Sequence, residues 1–288
     1  MNRRKFLASS IAVAVAGAVA AKPALSWAEP TKRPLGVQLY TVRDQAEKDL
    51  PSVLAAIRSI GYEEVEPYWN VYTHPAPELK RMINDHGLRV PSGHFDYDGI
   101  EGKLDYAATL GLEYMICPML PEKDRHEPDT YKKAAERLNH FGEQARKRGL
   151  HFGFHNHNYE FFHFSSGAGE TTGFDILMQH TDENLVCLEM DCYWITQAGL
   201  DPLNMFRRYG HRIRMLHLKD RLPGFPPSQE LNNDAQHFTP VGTGTINWKR
   251  ILEAAEKHDI RHLFVEQDSG GVPLENIKTS FKNLEALL

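Results

Sequence analysis

Short apolar segments alternate with longer amphipathic segments along most of the 288-residue chain. The apolar segments predict eight buried strands, at Leu35–Val42, Glu64–Tyr68, Arg89–Phe95, Tyr114–Met119, His151–His157, Leu185–Asp191, Ile213–Lys219 and His262–Glu266. The amphipathic segments predict eight helices, at Asp49–Ile60, Ala76–His86, Gly102–Leu110, Asp129–Arg148, Thr172–His180, Pro202–Tyr209, Trp248–His258 and Leu274–Leu287. A glycine follows four of these segments, as is typical of a helix C-terminus, at Gly61, Gly87, Gly111 and Gly149.

The alternation of strands and helices indicates a parallel sheet, because a helix between two strands returns the chain with a right-handed crossover. Eight such units over about 255 residues fit a (β/α)8 TIM barrel, an α/β fold built as a single domain. An open, doubly wound sheet is the alternative. The chain lacks the glycine-rich phosphate turn after the first strand that such a sheet typically carries, which favours the barrel.

The N-terminal segment has the pattern of an export signal. A basic start with the pair Arg3-Arg4 leads into the alanine-rich run Ala8–Ala21, and no acidic residue lies among the first 28 residues. This pattern, with a small-residue cleavage site at Ala28, predicts a Tat-type signal peptide over residues 1–28, a barrel over residues 29–288 and a periplasmic location. A membrane anchor is the alternative, but the apolar run is shorter than the about 20 residues that a span needs.

Charge and cysteine content narrow the range of partners. The four basic residues among the first 28 leave 29 basic and 38 acidic residues in the mature chain, a net charge of −9. No basic stripe is present, so nucleic acid is not an expected partner. Cys187 lies in the predicted strand Leu185–Asp191 and Cys192 directly follows it, and five residues of extended chain are too long for a disulfide, so these two and Cys117 are expected to be buried thiols.

Polar side chains concentrate at the C-terminal ends of the predicted strands, which is where TIM barrels have their active sites. They are, in chain order, Gln38, Tyr40, Glu66, Tyr68, Trp69, His94, Asp96, His155, Asn156, His157, Glu160, Glu189, Asp191, Trp194, His217, Lys219, Asp220, Glu266 and Asp268. Buried charges are costly unless they are paired or bind a ligand. Carboxylates and imidazoles without a thiolate predict one divalent cation, Mn, Mg, Zn or Co.

Alternation along each strand indicates which of these side chains share a face. Glu189 and Asp191 point the same way, as do His217 and Lys219, and His155 and His157. Simpler structural roles are open for several of them: a metal-free ion pair between Asp191 and His217, a loop support for Glu66, a satisfied core histidine for His94, packing for Trp194, and pairing with Glu189 for Lys219.

Nearly the whole mature chain resembles the sugar phosphate isomerase/epimerase superfamily of xylose-isomerase-like barrels. The resemblance rests on Leu35–Arg43 (LGVQLYTVR), Gly61–Glu66 (GYEEVE), Phe154–Phe161 (FHNHNYEF), Leu188–Trp194 (LEMDCYW), Met215–Asp220 (MLHLKD), Val241–Trp248 (VGTGTINW) and Phe264–Asp268 (FVEQD). It implies one divalent metal held by Glu, Asp, His and Glu on strands five to eight, and Asp191, His217 and Glu266 match the last three positions. Many relatives have glutamate where this chain has His155, so either His155 or Glu160 completes the set, and we prefer Glu160.

Together these features predict a metal-dependent isomerase or epimerase that transfers a proton next to the carbonyl of a sugar or keto-sugar. The predicted metal ligands are Glu160, Asp191, His217 and Glu266; the predicted catalytic residues are Glu266, His155 and Lys219; the predicted substrate contacts are Glu66, His94, His157 and Trp194. The alternatives are a metal-dependent lyase that cleaves or dehydrates a 3-keto glycoside, and a non-catalytic periplasmic sugar-binding barrel. The acidic net charge disfavours an apurinic endonuclease.

The connection from Arg221 to Pro240 has no regular period and contains several prolines. Because it follows the strand that carries His217, it is expected at the mouth of the site. Long loops in compact domains are often lids, so this segment is a predicted lid, with a flexible surface excursion as the alternative.

Overall fold

The computed structural model describes residues 33–166, 169–231 and 237–288. The predicted signal peptide and the first residues of the mature chain lie outside this part. The barrel strands are β1 (Leu35–Gln38), β2 (Glu64–Glu66), β3 (Ser92–His94), β4 (Tyr114–Cys117), β5 (His151–His155), β6 (Val186–Asp191), β7 (Ile213–Leu218) and β8 (His262–Val265). The helices are α1 (Arg43–Ile60), α2 (Ala76–Asp85), α3 (Ile100–Leu110), α4 (Pro128–Arg146), α5 (Gly173–His180), α6 (Cys192–Gln197), α7 (Pro202–Tyr209), α8 (Trp248–Lys257) and α9 (Pro273–Glu285).

The strands form one parallel sheet in chain order, and the first strand pairs with the last. The remaining seam, between β2 and β3, is bridged by backbone hydrogen bonds that join Glu63 and Val65 to Arg89 at 2.9 Å. The structure therefore confirms the predicted (β/α)8 barrel. None of the described helices is both long and apolar enough to cross a membrane.

Most predicted elements are present, with ends that shift by a few residues. The first strand ends early, at Gln38, because the side-chain oxygen of Gln38 accepts the amide of Tyr40 at 3.2 Å and starts a 3-10 turn. The first helix begins at Arg43 and has a non-helical residue, Asp49, where the sequence predicts the helix to begin. The carboxylate of Asp49 accepts the amide of Ser52 at 3.1 Å, as an N-cap does.

Three small elements are absent from the sequence prediction. Helix α6 follows β6 directly, and Asp191 caps it by accepting the amide of Trp194 at 2.9 Å. His163–Ser166 pairs with Gly169–Thr172 as an antiparallel hairpin, and Asp220–Arg221 pairs with Phe238–Thr239. Each is too short for hydrophobic periodicity to reveal.

An apolar layer fills the barrel beneath the polar strand ends. Tyr114, Ile116, Met215 and Phe264 form a buried cluster, and Gly36 makes room for the ring of Phe264. Met215 precedes His217 and Phe264 precedes Glu266 by two residues, so each apolar side chain shares the inner face with a polar one. The layer closes the barrel on one side of the site.

Candidate metal centre and active site

Two groups of side chains at the strand ends have the composition and spacing of a metal site. His94, His155, Glu189 and His217 form one group, and Asp191, His217 and Glu266 form the other, with ligand atoms within 4.8 Å of one another in each group. All six side chains are buried, and His217 belongs to both groups. The sequence-predicted ligands Asp191, His217 and Glu266 are thus brought together.

Strand register produces this arrangement. Asp191 lies opposite His217 across the β6–β7 pair, and His155 lies opposite Glu189 across the β5–β6 pair. A register shift between Leu188 and Glu189 determines that Glu189 pairs with Met215, and Asp191 with His217, across β6 and β7. Residues two apart share a face, so Glu189 and Asp191 both point inward, as the alternation predicts.

The imidazole of His217 lies between two carboxylates. Its Nδ1 is 2.7 Å from Oε2 of Glu266, and its Nε2 is 2.7 Å from Oε2 of Glu66. Burial opposes the charged ring, but Glu189 and Glu266 outweigh burial and raise the pKa of His217 well above its usual value. In the absence of a metal, Glu189 and Glu266 therefore favour the protonated form of this imidazole.

Glu189 is the acceptor for two further histidines. Its Oε2 accepts from Nε2 of His94 at 2.6 Å and from Nδ1 of His155 at 3.1 Å. Burial opposes the carboxylate charge of Glu189, but His217 and His94 hold its pKa well below the usual range. Burial, followed by the positive charge of His217, lowers the pKa of His155 to about 3, so that this imidazole is neutral at physiological pH.

Lys219 extends from the end of β7 into a second set of acids. Its Nζ lies 2.8 Å from Oε2 of Glu266, 3.0 Å from Oδ1 of Asp268 and 3.3 Å from Oδ2 of Asp191. Burial opposes the ammonium charge, but Asp268, Glu266 and Asp191 raise the pKa of Lys219 well above its usual value. Lys219 pairs with these three carboxylates, and the alternative partner Glu189 is not among them.

Two buried carboxylate oxygens indicate that this cluster fits a cation. Oε1 of Glu189 and Oδ2 of Asp191 are buried and accept no hydrogen bond from the described residues, although Lys219 forms an ion pair with the second. Buried polar atoms without a partner are costly. Oxygen and imidazole nitrogen donors without a thiolate are the ligands of Mg, Mn, Zn and Co sites.

Glu160, the preferred ligand of the sequence prediction on strand five, lies outside both groups. It follows β5 in the 3-10 turn Tyr159–Phe161, and its Oε2 accepts the backbone amide of His157 at 2.8 Å. The turn directs the carboxylate back to its own chain, and burial raises the pKa of Glu160 to about 7. Of the two alternatives on strand five, the structure brings His155 into the cluster.

A cavity of about 390 Å³ opens above the cluster. The predicted site residues that line it are His94, His155, His157, Trp194, Lys219 and Glu266. Glu66 lies beneath the cavity, where its carboxylate accepts hydrogen bonds from the side-chain amide of Gln38 at 2.8 Å and from the hydroxyl of Ser92. The cavity wall is completed by Tyr40, Tyr68, Trp69, Pro118, Met119, Leu231, Phe238, Asp268 and Ser269. A polar floor under an aromatic and apolar rim is typical of small-molecule sites.

Some of these residues were missed by the predicted site set. Alternation predicts Glu189 on the inner face with Asp191, but the predicted ligand set does not include it. The sequence places Asp268 at a strand end and predicts no role for it in the site. Leu231 and Phe238 come from the predicted lid, and nothing in their local sequence marks them as lining a cavity.

The connection after Arg221 lies at the mouth of the cavity, as predicted. Phe238 stacks on Tyr193 with ring centroids 4.3 Å apart, and Nδ2 of Asn158 donates to the carbonyls of Ser228 and Glu230 at 3.0 and 3.2 Å. Residues 232–236 lie outside the described part. Movement of this segment as a lid stays a prediction.

Comparison with known sequences agrees with this geometry. The family model for the xylose isomerase-like TIM barrel matches residues 54–287. The chain is 30% identical over 166 residues to an inosose dehydratase of Bacillus cereus (strain AH820), covering 54% of this chain and 53% of that protein. It is 29% identical over 235 residues to an inosose dehydratase of Lacticaseibacillus casei, covering 68% of this chain and 74% of that protein. The chain therefore spans about half the length of the first of these relatives.

Solved structures share the fold at low sequence identity. A sugar phosphate isomerase/epimerase from Parabacteroides distasonis ATCC 8503 has a TM-score of 0.73 at 24% identity over 90% of this chain and 96% of that chain. The IolI protein with a bound zinc atom has a TM-score of 0.70 at 16% identity, over 88% and 97%. An L-ribulose 3-epimerase has a TM-score of 0.67 at 13% identity, over 89% and 95%.

Proposed function

The chain belongs to the xylose isomerase-like TIM barrel family, and from this membership we propose that it is a divalent-metal-dependent enzyme that dehydrates a keto-polyol. The observation that carries the proposal is the buried group of Asp191, His217 and Glu266, of which Glu266 lines a cavity together with Lys219. The similarity to inosose dehydratases favours elimination over the isomerisation that the sequence alone predicts.

The metal would be held by Asp191, His217 and Glu266, with His155 or Glu189 completing the set. A bound divalent cation polarises a carbonyl and stabilises the negative charge of an enolate. Zinc in the IolI protein makes zinc one of the ions to test here, together with manganese, magnesium and cobalt.

The protein side chains supply the proton transfers. Glu266 lines the cavity, and its carboxylate oxygen accepts the proton next to the carbonyl. The neutral imidazole of His155 is the alternative acceptor. Nζ of Lys219 donates to the oxygen that gains negative charge.

A proton donor for the leaving hydroxyl also lines the cavity. Burial opposes the charged ring of His94, but Glu66 and Glu189 outweigh burial and raise its pKa, which favours the protonated imidazole as the donor. In the elimination a C–H bond and a C–O bond break, a C=C bond forms and water leaves. The reaction needs no oxidant or reductant.

The second candidate is the isomerase or epimerase that the sequence predicts. The observation in its favour is that ionisable groups lie at more than one place on the cavity wall, Glu266 with Lys219 and His155 with His157, so that a proton can return to the enolate without loss of a hydroxyl. Cleavage of a 3-keto glycoside is the same elimination with a glycosidic oxygen as the leaving group.

One assay separates these functions. The mature protein is incubated in deuterium oxide with an inosose, a ketose or a 3-keto glycoside, each in the presence of manganese, zinc, cobalt or magnesium. A new ultraviolet absorbance from a conjugated enone identifies elimination. Deuterium at carbon without that absorbance identifies an isomerase or epimerase. Neither signal with any substrate, despite metal binding, would favour the non-catalytic sugar-binding barrel.

Two glutamate variants test the assignment of the proton acceptor. Glu266→Gln should reduce turnover by about a thousandfold, since general base catalysis contributes about 10² to 10⁴. Glu275→Gln in the first turn of α9 is the matched control and should leave turnover unchanged. Equal turnover in Glu266→Gln and the native protein would transfer the role to His155.

We also propose that residues 1–28 direct export to the periplasm. Support for this comes from the twin arginines and the apolar run alone. N-terminal sequencing of the protein from a periplasmic fraction tests it: a start at residue 29 supports export, and an intact Met1 contradicts it.

A further inference from the structure

A lysine ammonium lies among the carboxylates that would hold the metal. Nζ of Lys219 is 2.8 Å from Oε2 of Glu266 and 3.3 Å from Oδ2 of Asp191. Glu266 and Asp191 are two of the three members of a group whose ligand atoms lie within 4.8 Å of one another. Lys219 itself is 2% exposed, so water screens its charge little.

A divalent cation and this ammonium would need the same oxygens. Two positive charges at contact distance repel strongly in a buried site, because the interaction scales inversely with the local dielectric constant. Without either the metal or the ammonium, Asp191 and Glu266 would be buried acids with no cation between them, which is costly. The ammonium therefore stabilises the metal-free site and opposes metal binding.

A third carboxylate gives the ammonium another partner. Asp268 accepts from Nζ of Lys219 at 3.0 Å through Oδ1 and at 3.3 Å through Oδ2. Its side chain is 22% exposed and lines the cavity, and it belongs to neither metal-capable group. The ring of Trp194 lies 5.4 Å from the same ammonium, within the range of a cation–π interaction.

We propose that Lys219 is an internal cation that competes with the divalent metal for Asp191 and Glu266, and that Asp268 draws it away when the metal binds. The inference rests on the metal site of the proposed function. It assigns Lys219 and Asp268 a joint role in setting metal affinity: Lys219 weakens it, and Asp268 restores it by holding the displaced ammonium over the cavity.

The test is a calorimetric titration of the chelator-treated mature protein with Mn²⁺ alone. Lys219→Met removes the competing charge and should tighten binding about tenfold, or ~1.4 kcal/mol. Asp268→Asn leaves Lys219 without its third partner and should weaken binding about tenfold. Lys249→Met, which removes an exposed lysine paired with Glu253, is the matched control and should bind as the native protein does.

The double variant separates competition from a general charge effect. If Asp268 acts through Lys219, Asp268→Asn should change the affinity little in the Lys219→Met background. An equal tenfold loss in both backgrounds would mean that Asp268 attracts the metal directly, and would overturn its assigned role. Far-UV circular dichroism of each variant confirms that it is folded before titration.

The outcomes also distinguish this inference from the proposed function. Tight binding by the native protein and no change in Lys219→Met leaves the metal site in place and overturns the competition. Binding by Lys219→Met alone supports the competition, and means that the lysine replaces the metal in the native chain. No binding by either protein overturns both.

Discussion

His217 and Glu189 link the buried polar cluster at the residue scale. Each contacts partners that come from other strands: His217 contacts Glu66 and Glu266, and Glu189 contacts His94 and His155. Such a network is stabilising only while every charge keeps a partner, because a single buried charge left alone is costly. Removal of one member should therefore cost far more than removal of an exposed ion pair.

Glu189→Ala should lower the free energy of unfolding by about 3–5 kcal/mol in the presence of chelator, because it removes the buried carboxylate that His94 and His155 share as an acceptor. Glu183→Ala is the matched control, because Glu183 also pairs with a histidine, His211, at 2.9 Å but at an exposed position. The control should cost less than about 1 kcal/mol. Urea denaturation measures both, and similar losses in the two variants would contradict the network.

At the scale of elements, one carboxylate organises the segment between β7 and α8. Asp220 is 1% exposed and accepts the backbone amides of Arg221, Gly242, Gly244 and Ile246 and the indole of Trp248, at 2.8 to 3.2 Å. The added Cβ of an alanine at Gly244 would overlap the carboxylate of Asp220. The glycines of the VGTGTINW segment thus allow a loop to wrap around an acid that faces away from the cavity.

Asp220→Asn should lower the free energy of unfolding by about 2–3 kcal/mol, because an amide replaces one of two oxygens that accept several buried N–H groups. Hydrogen exchange at the amides of Gly242, Gly244 and Ile246 should become faster. Asp201→Asn is the control, since asparagine caps a helix as well as aspartate does and Asp201 is exposed. Unchanged exchange at the three amides would argue against the anchor.

At the scale of the whole molecule, the barrel interior is closed by close packing beneath the site. A Cβ at Gly36 would come within 2.6 Å of Cε1 of Phe264 and 3.1 Å of Cβ of Glu64. Phe264 is fully buried and precedes Glu266 on the same face of β8. Because Gly36 on β1 has no side chain, the ring of Phe264 fits against it on the neighbouring strand β8.

Gly36→Ala should lower the free energy of unfolding by about 1–3 kcal/mol, because the ring of Phe264 must move within a packed interior. Gly102→Ala is the matched control: Gly102 lies in α3 with nothing within 4 Å of the added Cβ, so alanine should be neutral or stabilise by up to about 1 kcal/mol. Chemical denaturation gives both values, and a neutral Gly36→Ala would show that the barrel interior is loosely packed.

The sequence alone determined the eight-fold order of strands and helices and the strand ends that carry the polar residues. Hydrophobic alternation also placed Asp191, His217, Lys219 and Glu266 on the inner face, because alternation within one strand is a local property of the chain. Family resemblance added the metal and the type of chemistry.

Only the tertiary structure decided which of these residues meet. His155 lies in the cluster, whereas a 3-10 turn bonds the carboxylate of Glu160 to the amide of His157 and keeps it outside. Glu189 belongs to the buried cluster because the register of β5, β6 and β7 places it beside His155 and His217. Lys219 meets Asp191 and Glu266 because the ends of β6 and β8 lie on either side of β7. Contacts between segments far apart in the chain follow from sheet closure, and no local pattern encodes them.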